Sequence, residues 1–205
     1  MIVHNFDPVL VDFGILQIKW YSMAYIFGII LGWMYASKII TITSKRTNFT
    51  NINQSQFDDL IIYLILGIIL GGRLGYVFFY NIEYYSKDFL EIFKLWKGGM
   101  SFHGGLLGII VAIYIFAKKT KTNFFLFSDI IACVAPIGLF LGRIANFING
   151  ELYGTPTEKP WGIIFPKIDN ILRHPSQIYE ALLEGALLFL ILNFIVFKKN
   201  FNNGV

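Results

Sequence analysis

Five apolar stretches reach or approach the ~20 residues a helix needs to cross a bilayer: about Trp20 to Ile40, Leu60 to Tyr80, Phe102 to Ala117, Phe127 to Ile148 and Gln177 to Phe197. No other feature constrains the fold as much. In hydrocarbon each backbone N–H and C=O must be satisfied within its own segment, so these runs predict α-helices. Composition agrees: 56% of residues are hydrophobic and 15% are charged, against roughly 25% charged in soluble proteins. The sequence predicts an all-α fold, a polytopic transmembrane helical bundle, and excludes an ordinary soluble domain. Residues 1–205 read as one transmembrane domain, with 150–175 as an extracytoplasmic loop segment. Met1 to Lys19 lacks the basic start and compact apolar core of a cleavable signal peptide and reads as a membrane-surface segment.

The net charge of +4 does not point to nucleic acid. The basic residues form short clusters beside the apolar runs, Lys45-Arg46, Lys118-Lys119 with Lys121, and Lys198-Lys199, as expected of cytoplasmic helix anchors. They place the N-terminus outside and the C-terminus inside. Cys133, the single cysteine, lies in an apolar run and reads as a small packing residue. Glycines four apart (Gly28/Gly32, Gly67/Gly71, Gly104/Gly108, Gly138/Gly142) predict close helix–helix approach. No close metal-ligand spacing such as His-Glu-x-x-His is present, so no metal cage is expected.

Chemistry concentrates in three polar segments. In Gly142 to Gly154 a membrane helix gains Arg143, Asn146, Asn149 and Glu151. At about 100° per residue, Arg143, Asn146 and Gly150 share a face, with Glu151 near it if the helix persists. An arginine in a span costs roughly 2.5–3.5 kcal/mol on insertion scales, so Arg143 needs a function or a partner, and Glu151 is the nearest candidate partner in sequence. In Ser101-Phe102-His103-Gly104-Gly105, His103 opens the third span, either as a hydrogen-bonded structural residue or as a catalyst. In Arg173-His174-Pro175-Ser176-Gln177-Ile178-Tyr179-Glu180, Pro175-Ser176 predicts a helix start. Gln177, Glu180 and Glu184 then form a polar stripe, either for inter-helix hydrogen bonds or for a site. Arg73 either pairs with Glu180 or Glu184 or binds lipid phosphate. Tyr21, beside Trp20, opens the first span at the interface.

These segments together resemble prolipoprotein diacylglyceryl transferases. Gly142 to Gly154 matches the family signature, Ser101 to Gly105 its histidine motif, and Arg173 to Glu180 its Arg-His-Pro-Ser-Gln segment; Trp20-Tyr21 and Gly71 to Tyr80 also match. The resemblance implies transfer of the diacylglyceryl group of phosphatidylglycerol to the lipobox cysteine of prolipoproteins. A thioether forms and glycerol phosphate leaves. It also implies a multi-pass protein of the bacterial inner membrane, with its active site toward the periplasm, membrane lipids as partners, and no cofactor or nucleic acid. Carried onto this chain, His103, Arg143 and Glu151 are the catalytic candidates, with His103 as base or substrate positioner. Tyr21, Arg73, Asn146, Gly154, Gln177 and Glu180 are the substrate-binding candidates. Family members continue beyond a point like Asn202-Asn203-Gly204-Val205 to about seven helices, adding another Arg and Glu. The chain thus reads as C-terminally truncated, with a second polypeptide as a possible source of the missing helices. The competing functions are a transporter or channel, and a non-catalytic fragment of a split transferase.

Overall fold

The computed structural model describes residues 2–14, 17–46 and 54–199, with only the backbone described for 43–46 and 199. The Lys45-Arg46 and Lys199 side chains and the Asn202 to Val205 end therefore lie outside the described residues.

The fold is all-α apart from short strands: α1 (Trp20–Arg46), α2 (Gln54–Tyr80), α3 (Ile82–Lys87), α4 (Phe102–Thr120), α5 (Phe124–Asn149), α6 (Ser176–Glu180) and α7 (Leu188–Lys199). A π-helical stretch, Ala181–Leu187, joins α6 to α7. Among the described residues five helical segments are long and apolar enough to cross a membrane, and only 22–33% of the residues in their apolar windows are buried. Apolar surface turned outward on this scale suits lipid. All five expected spans are present. The second begins at Gln54 rather than near Leu60, because its first turns are polar, and Gln54 Nε2 donates to Asp58 Oδ1 at 2.9 Å. A hydropathy window stops where the hydrocarbon stops; the helix does not.

Contacts divide the chain into two units, residues 1–38 with 131–200, and residues 39–130 with 201–205. In the second unit α2 lies against α4, backbone on backbone. A methyl group on Gly71 would overlap the Gly104 carbonyl oxygen, and one on Gly108 the Gly67 carbonyl oxygen. The Gly67/Gly71 and Gly104/Gly108 spacings are thus a helix–helix seam, whereas a Cβ on Gly142 would meet open space.

In the first unit α1 and α5 approach at Gly28 and Gly138. Tyr35 on α1 donates through its hydroxyl to Asn193 Oδ1 on α7 at 2.9 Å, and Asn193 Nδ2 donates to the Cys133 carbonyl of α5 at 3.3 Å. Cys133 is buried and packs as expected. Outside the helices, β1 (Ile2–Val3) pairs in parallel with β4 (Ile163–Ile164), which pairs antiparallel with β5 (Leu172–Arg173). A hairpin of β2 (Val9–Asp12) and β3 (Gln17–Lys19) leads into α1. His4, following β1, is buried; its Nε2 hydrogen-bonds to the Phe147 carbonyl at 2.6 Å, so the N-terminal segment rests on the end of α5.

Candidate active site

The end of α5 builds the centre of the site. Gly150 takes a positive φ of 72°, where glycine carries no Cβ penalty. Its N–H donates to Phe147 O at 3.0 Å, and the Glu151 N–H reaches back to Asn146 O at 3.0 Å. These paired bonds are a Schellman termination. The helix does not persist to Glu151; the chain folds back and brings its carboxylate over the last turn. Asn149 Nδ2 donates to Glu151 Oε1 at 3.1 Å, and Asn146 Nδ2 to Oε2 at a long 3.4 Å. Gln177, on α6 and fully buried, donates through Nε2 to the Glu151 carbonyl. Glu151 is therefore a hub for three amide side chains.

Arg143, about two turns earlier on α5, does not pair with Glu151. Its Nη1 lies 2.9 Å from Glu180 Oε2 and its Nη2 lies 3.2 Å from Glu184 Oε2. The two carboxylates of the polar stripe on the last span are thus the partners of Arg143, and the π-helical stretch carries Glu184. Such widened turns recur at functional sites. The side chain of Arg143 remains 27% exposed, and its fork has further N–H donors than these two contacts use. An open apolar groove of about 330 Å³ lies in the same unit. It is lined by Leu31, Pro136, Ile137, Phe140, Leu141, Ala186 and Phe189. Phe140 and Leu141 stand within one turn of Arg143, and Ala186 is two residues from Glu184.

Gly154 begins the loop beyond Glu151. Its N–H donates to the His174 carbonyl at 2.9 Å, and a Cβ there would collide with Ser176 Oγ and the His174 backbone. No larger residue fits this crossing. Arg173 Nη2 binds Asp169 Oδ2 at 2.5 Å and its guanidinium stacks 5.0 Å from the Tyr153 ring centre. Arg173 holds the Asp169 carboxyl below its ordinary range. His174 and Trp161 were not foreseen as neighbours: Trp161 Nε1 donates to the Tyr179 hydroxyl at 2.7 Å, and that hydroxyl lies 3.0 Å from His174 Nδ1. Their separation in sequence leaves no local pattern to read.

Three further expected site residues have partners or neighbours of their own. His103 is exposed in the first turn of α4, which Ser101 caps by accepting from the Gly104 N–H at 3.1 Å; its ring lies edge-on to Phe102. Tyr21 contacts Tyr25, hydroxyl to hydroxyl at 3.3 Å. While Glu180 and Glu184, one of the two alternatives open for Arg73, take Arg143, Arg73 spends its donors within its own unit. Only 3% exposed, it donates to the carbonyls of Glu91 (2.7 Å), Ile92 (2.8 Å), Lys94 (3.2 Å), Gly99 (3.1 Å) and, at closest range, Gly98. Its guanidinium lies 5.1 Å from the Tyr85 ring centre. Backbone carbonyls have no sequence signature, so these partners could not be read in advance.

Comparison with known proteins bears on what this arrangement does. A family model described as Prolipoprotein diacylglyceryl transferase matches residues 8–205. A protein of Rickettsia bellii (strain OSU 85-389), named phosphatidylglycerol–prolipoprotein diacylglyceryl transferase, is 53% identical over 196 residues, 96% of this chain and 73% of the relative. Relatives of the same name from Rickettsia canadensis and Rickettsia felis are each 52% identical. The first alignment covers 97% of this chain and 74% of the relative, the second 95% and 73%.

Proposed function

The chain belongs to the prolipoprotein diacylglyceryl transferase family, and from that membership we infer that it moves the diacylglyceryl group of phosphatidylglycerol onto the lipobox cysteine of prolipoproteins. The cysteine sulfur attacks the glyceryl carbon that bears the phosphate. An S–C bond forms, the C–O bond to phosphate breaks, and the pair of electrons leaves with glycerol phosphate. The thiol proton passes to a base, a role we give to His103. Its exposed position at the head of α4 suits a group that meets an incoming substrate.

The observation that carries the reading is Arg143. It is an arginine in a membrane helix, held at 2.9 and 3.2 Å by two carboxylates, and still partly open. A planar guanidinium suits a phosphate oxyanion, and a preorganised cation stabilises the charge that builds on the leaving group. Glu180 and Glu184 aim the guanidinium. Asn146, Glu151 and Gln177 form the donor and acceptor wall beside it, and Gly154 keeps the loop crossing open. The open apolar groove one turn from Arg143 suits an acyl chain. Arg73 contributes to substrate binding through the segment it holds, and Tyr21 through the surface at the start of α1.

The active site faces the periplasmic side of a bacterial inner membrane. The basic cluster Lys118 to Lys121 lies at the opposite end of α5 from Arg143 and Glu151, which supports this orientation under the positive-inside rule. The test is transfer of a labelled diacylglyceryl group from phosphatidylglycerol to a lipobox peptide in liposomes. Arg143→Ala should lose ~10²–10³-fold in rate with insertion unchanged. Undiminished transfer by Arg143→Ala would remove Arg143 from the mechanism.

A further inference from the structure

Glu151 orients two amide side chains in a way that leaves something over. Gln177 spends Nε2 on the Glu151 carbonyl and Asn149 spends Nδ2 on Glu151 Oε1. Because the partner atoms are acceptors, neither amide can be flipped without setting oxygen against oxygen. The opposite ends are therefore fixed as acceptors: Gln177 Oε1 and Asn149 Oδ1 are both buried, and neither has a hydrogen-bond partner among the described residues. Gln177 is 0% exposed. Buried acceptors are kept satisfied in native proteins, and exceptions mark strain, an ordered water or ion, or a functional contact. Glu180 Oε2, 2.9 Å from Arg143 Nη1, is a third buried oxygen without a hydrogen bond of good geometry.

We propose that Gln177 and Asn149 are specificity residues that accept hydrogen bonds from the hydroxyls of the lipid headgroup, selecting a neutral polyol. The proposal rests on the reading of Arg143 as the phosphate holder. Arg143 offers donors, which a phosphodiester needs. Gln177 Oε1 and Asn149 Oδ1 offer acceptors, which a phosphodiester cannot use and a glycerol hydroxyl can. A site built to receive a hydroxyl rejects the analogue that lacks it, because its own buried acceptors then stay unpaired.

The test compares phosphatidylglycerol with phosphatidylpropanol, which keeps the charge and the three-carbon headgroup and lacks both hydroxyls. Each lipid is doped into phosphatidylcholine nanodiscs holding the full chain, and bound lipid is counted by native mass spectrometry. The unaltered chain should favour phosphatidylglycerol by roughly tenfold or more, the product of two neutral hydrogen bonds. Gln177→Met and Asn149→Leu should each cut that ratio several-fold by losing phosphatidylglycerol, with phosphatidylpropanol unchanged. Equal binding of the two lipids by the unaltered chain overturns the proposal, and that comparison needs no variant to fold. So does an undiminished ratio in both variants. Transfer is measured on the same samples. A binding preference without transfer from either lipid sinks the transferase reading and leaves the headgroup proposal standing; transfer with no preference does the reverse.

Discussion

Arg73 and Arg143 are both arginines in apolar helices, and the atoms that receive them set them apart. Arg73 is buried, and its donors end on five backbone carbonyls between Glu91 and Gly99. A carbonyl in a folded segment cannot leave, titrate or be replaced by substrate without unfolding that segment. Arg143 is partly open, and its donors meet two carboxylate side chains. Those can shift by a rotamer and share the cation with an arriving oxyanion. Under the proposed function the same residue type is thus a clamp in one unit and the phosphate-binding group in the other. Cost alone does not tell them apart, since each offsets a similar insertion penalty of roughly 2.5–3.5 kcal/mol.

The comparison breaks first at Arg73 if it is wrong. Arg73→Met removes every donor and leaves buried carbonyls unpaired, at about 1–3 kcal/mol for each one that water cannot reach. Residues 89–99 should lose their order. Trypsin should then cut at Lys94 and Lys97 in detergent many-fold faster, whereas Arg143→Met should leave those cuts at the original rate. Arg73→Lys should recover little, because an ammonium is a point donor and cannot span the set. Gly98 and Gly99, both with φ near 80°, turn their carbonyls toward the guanidinium and share its fate.

At Arg143 the expected effects are smaller and fall on catalysis. Glu180→Gln keeps the shape but removes one charge that aims the guanidinium, and transfer should fall about tenfold, an order typical of losing one charge-assisted contact. Glu184→Gln should cost less, because its side chain is 48% exposed against 34% for Glu180 and water screens it better. Steady-state kinetics with phosphatidylglycerol as the varied lipid separates the two. Equal and negligible losses would make the pair a mere helix staple, and Arg143 a second clamp.

How much of this was legible follows from the range of each interaction. Spans were readable because hydropathy is a property of the run itself. The end of α5 was nearly so: Asn149-Gly150 is a local helix-stop signal, although the return of Glu151 onto Asn149 depends on the Schellman geometry. That Arg143 needed a partner could be argued from its cost. That the partners were Glu180 and Glu184 rather than Glu151 could not, since the choice is made by how α5 packs against the last span. The pairing of β1 with β4 lay beyond reach for a related reason: two-residue strands carry no alternation to detect. Gln177 was singled out as part of a polar stripe; its task as a donor to the Glu151 backbone was not in the pattern.

The smallest effect belongs to the Arg73 segment and concerns pH. Glu91 receives Lys94 Nζ at 2.5 Å and Lys97 Nζ at 2.7 Å. The Lys94 bond, then the Lys97 bond, hold its carboxyl at about 2, below the ordinary 4.5. A lowered carboxyl pKa contributes stability that is complete above the unfolded value and is lost as pH falls toward the folded one. The window for Glu91 therefore runs from about 4.5 down to about 2. Across it, hydrogen exchange at the Lys94 and Lys97 amides, bonded to Glu91 O and Lys94 O, should quicken relative to intrinsic rates. Arg73 keeps its five carbonyl contacts at every pH in this window, so the change should be a loosening and not the collapse expected of Arg73→Met. In Glu91→Gln the pH dependence should vanish and exchange should sit at the faster level throughout. A full loss of protection in acid would mean that the lysine–glutamate pairs, and not Arg73, hold the segment.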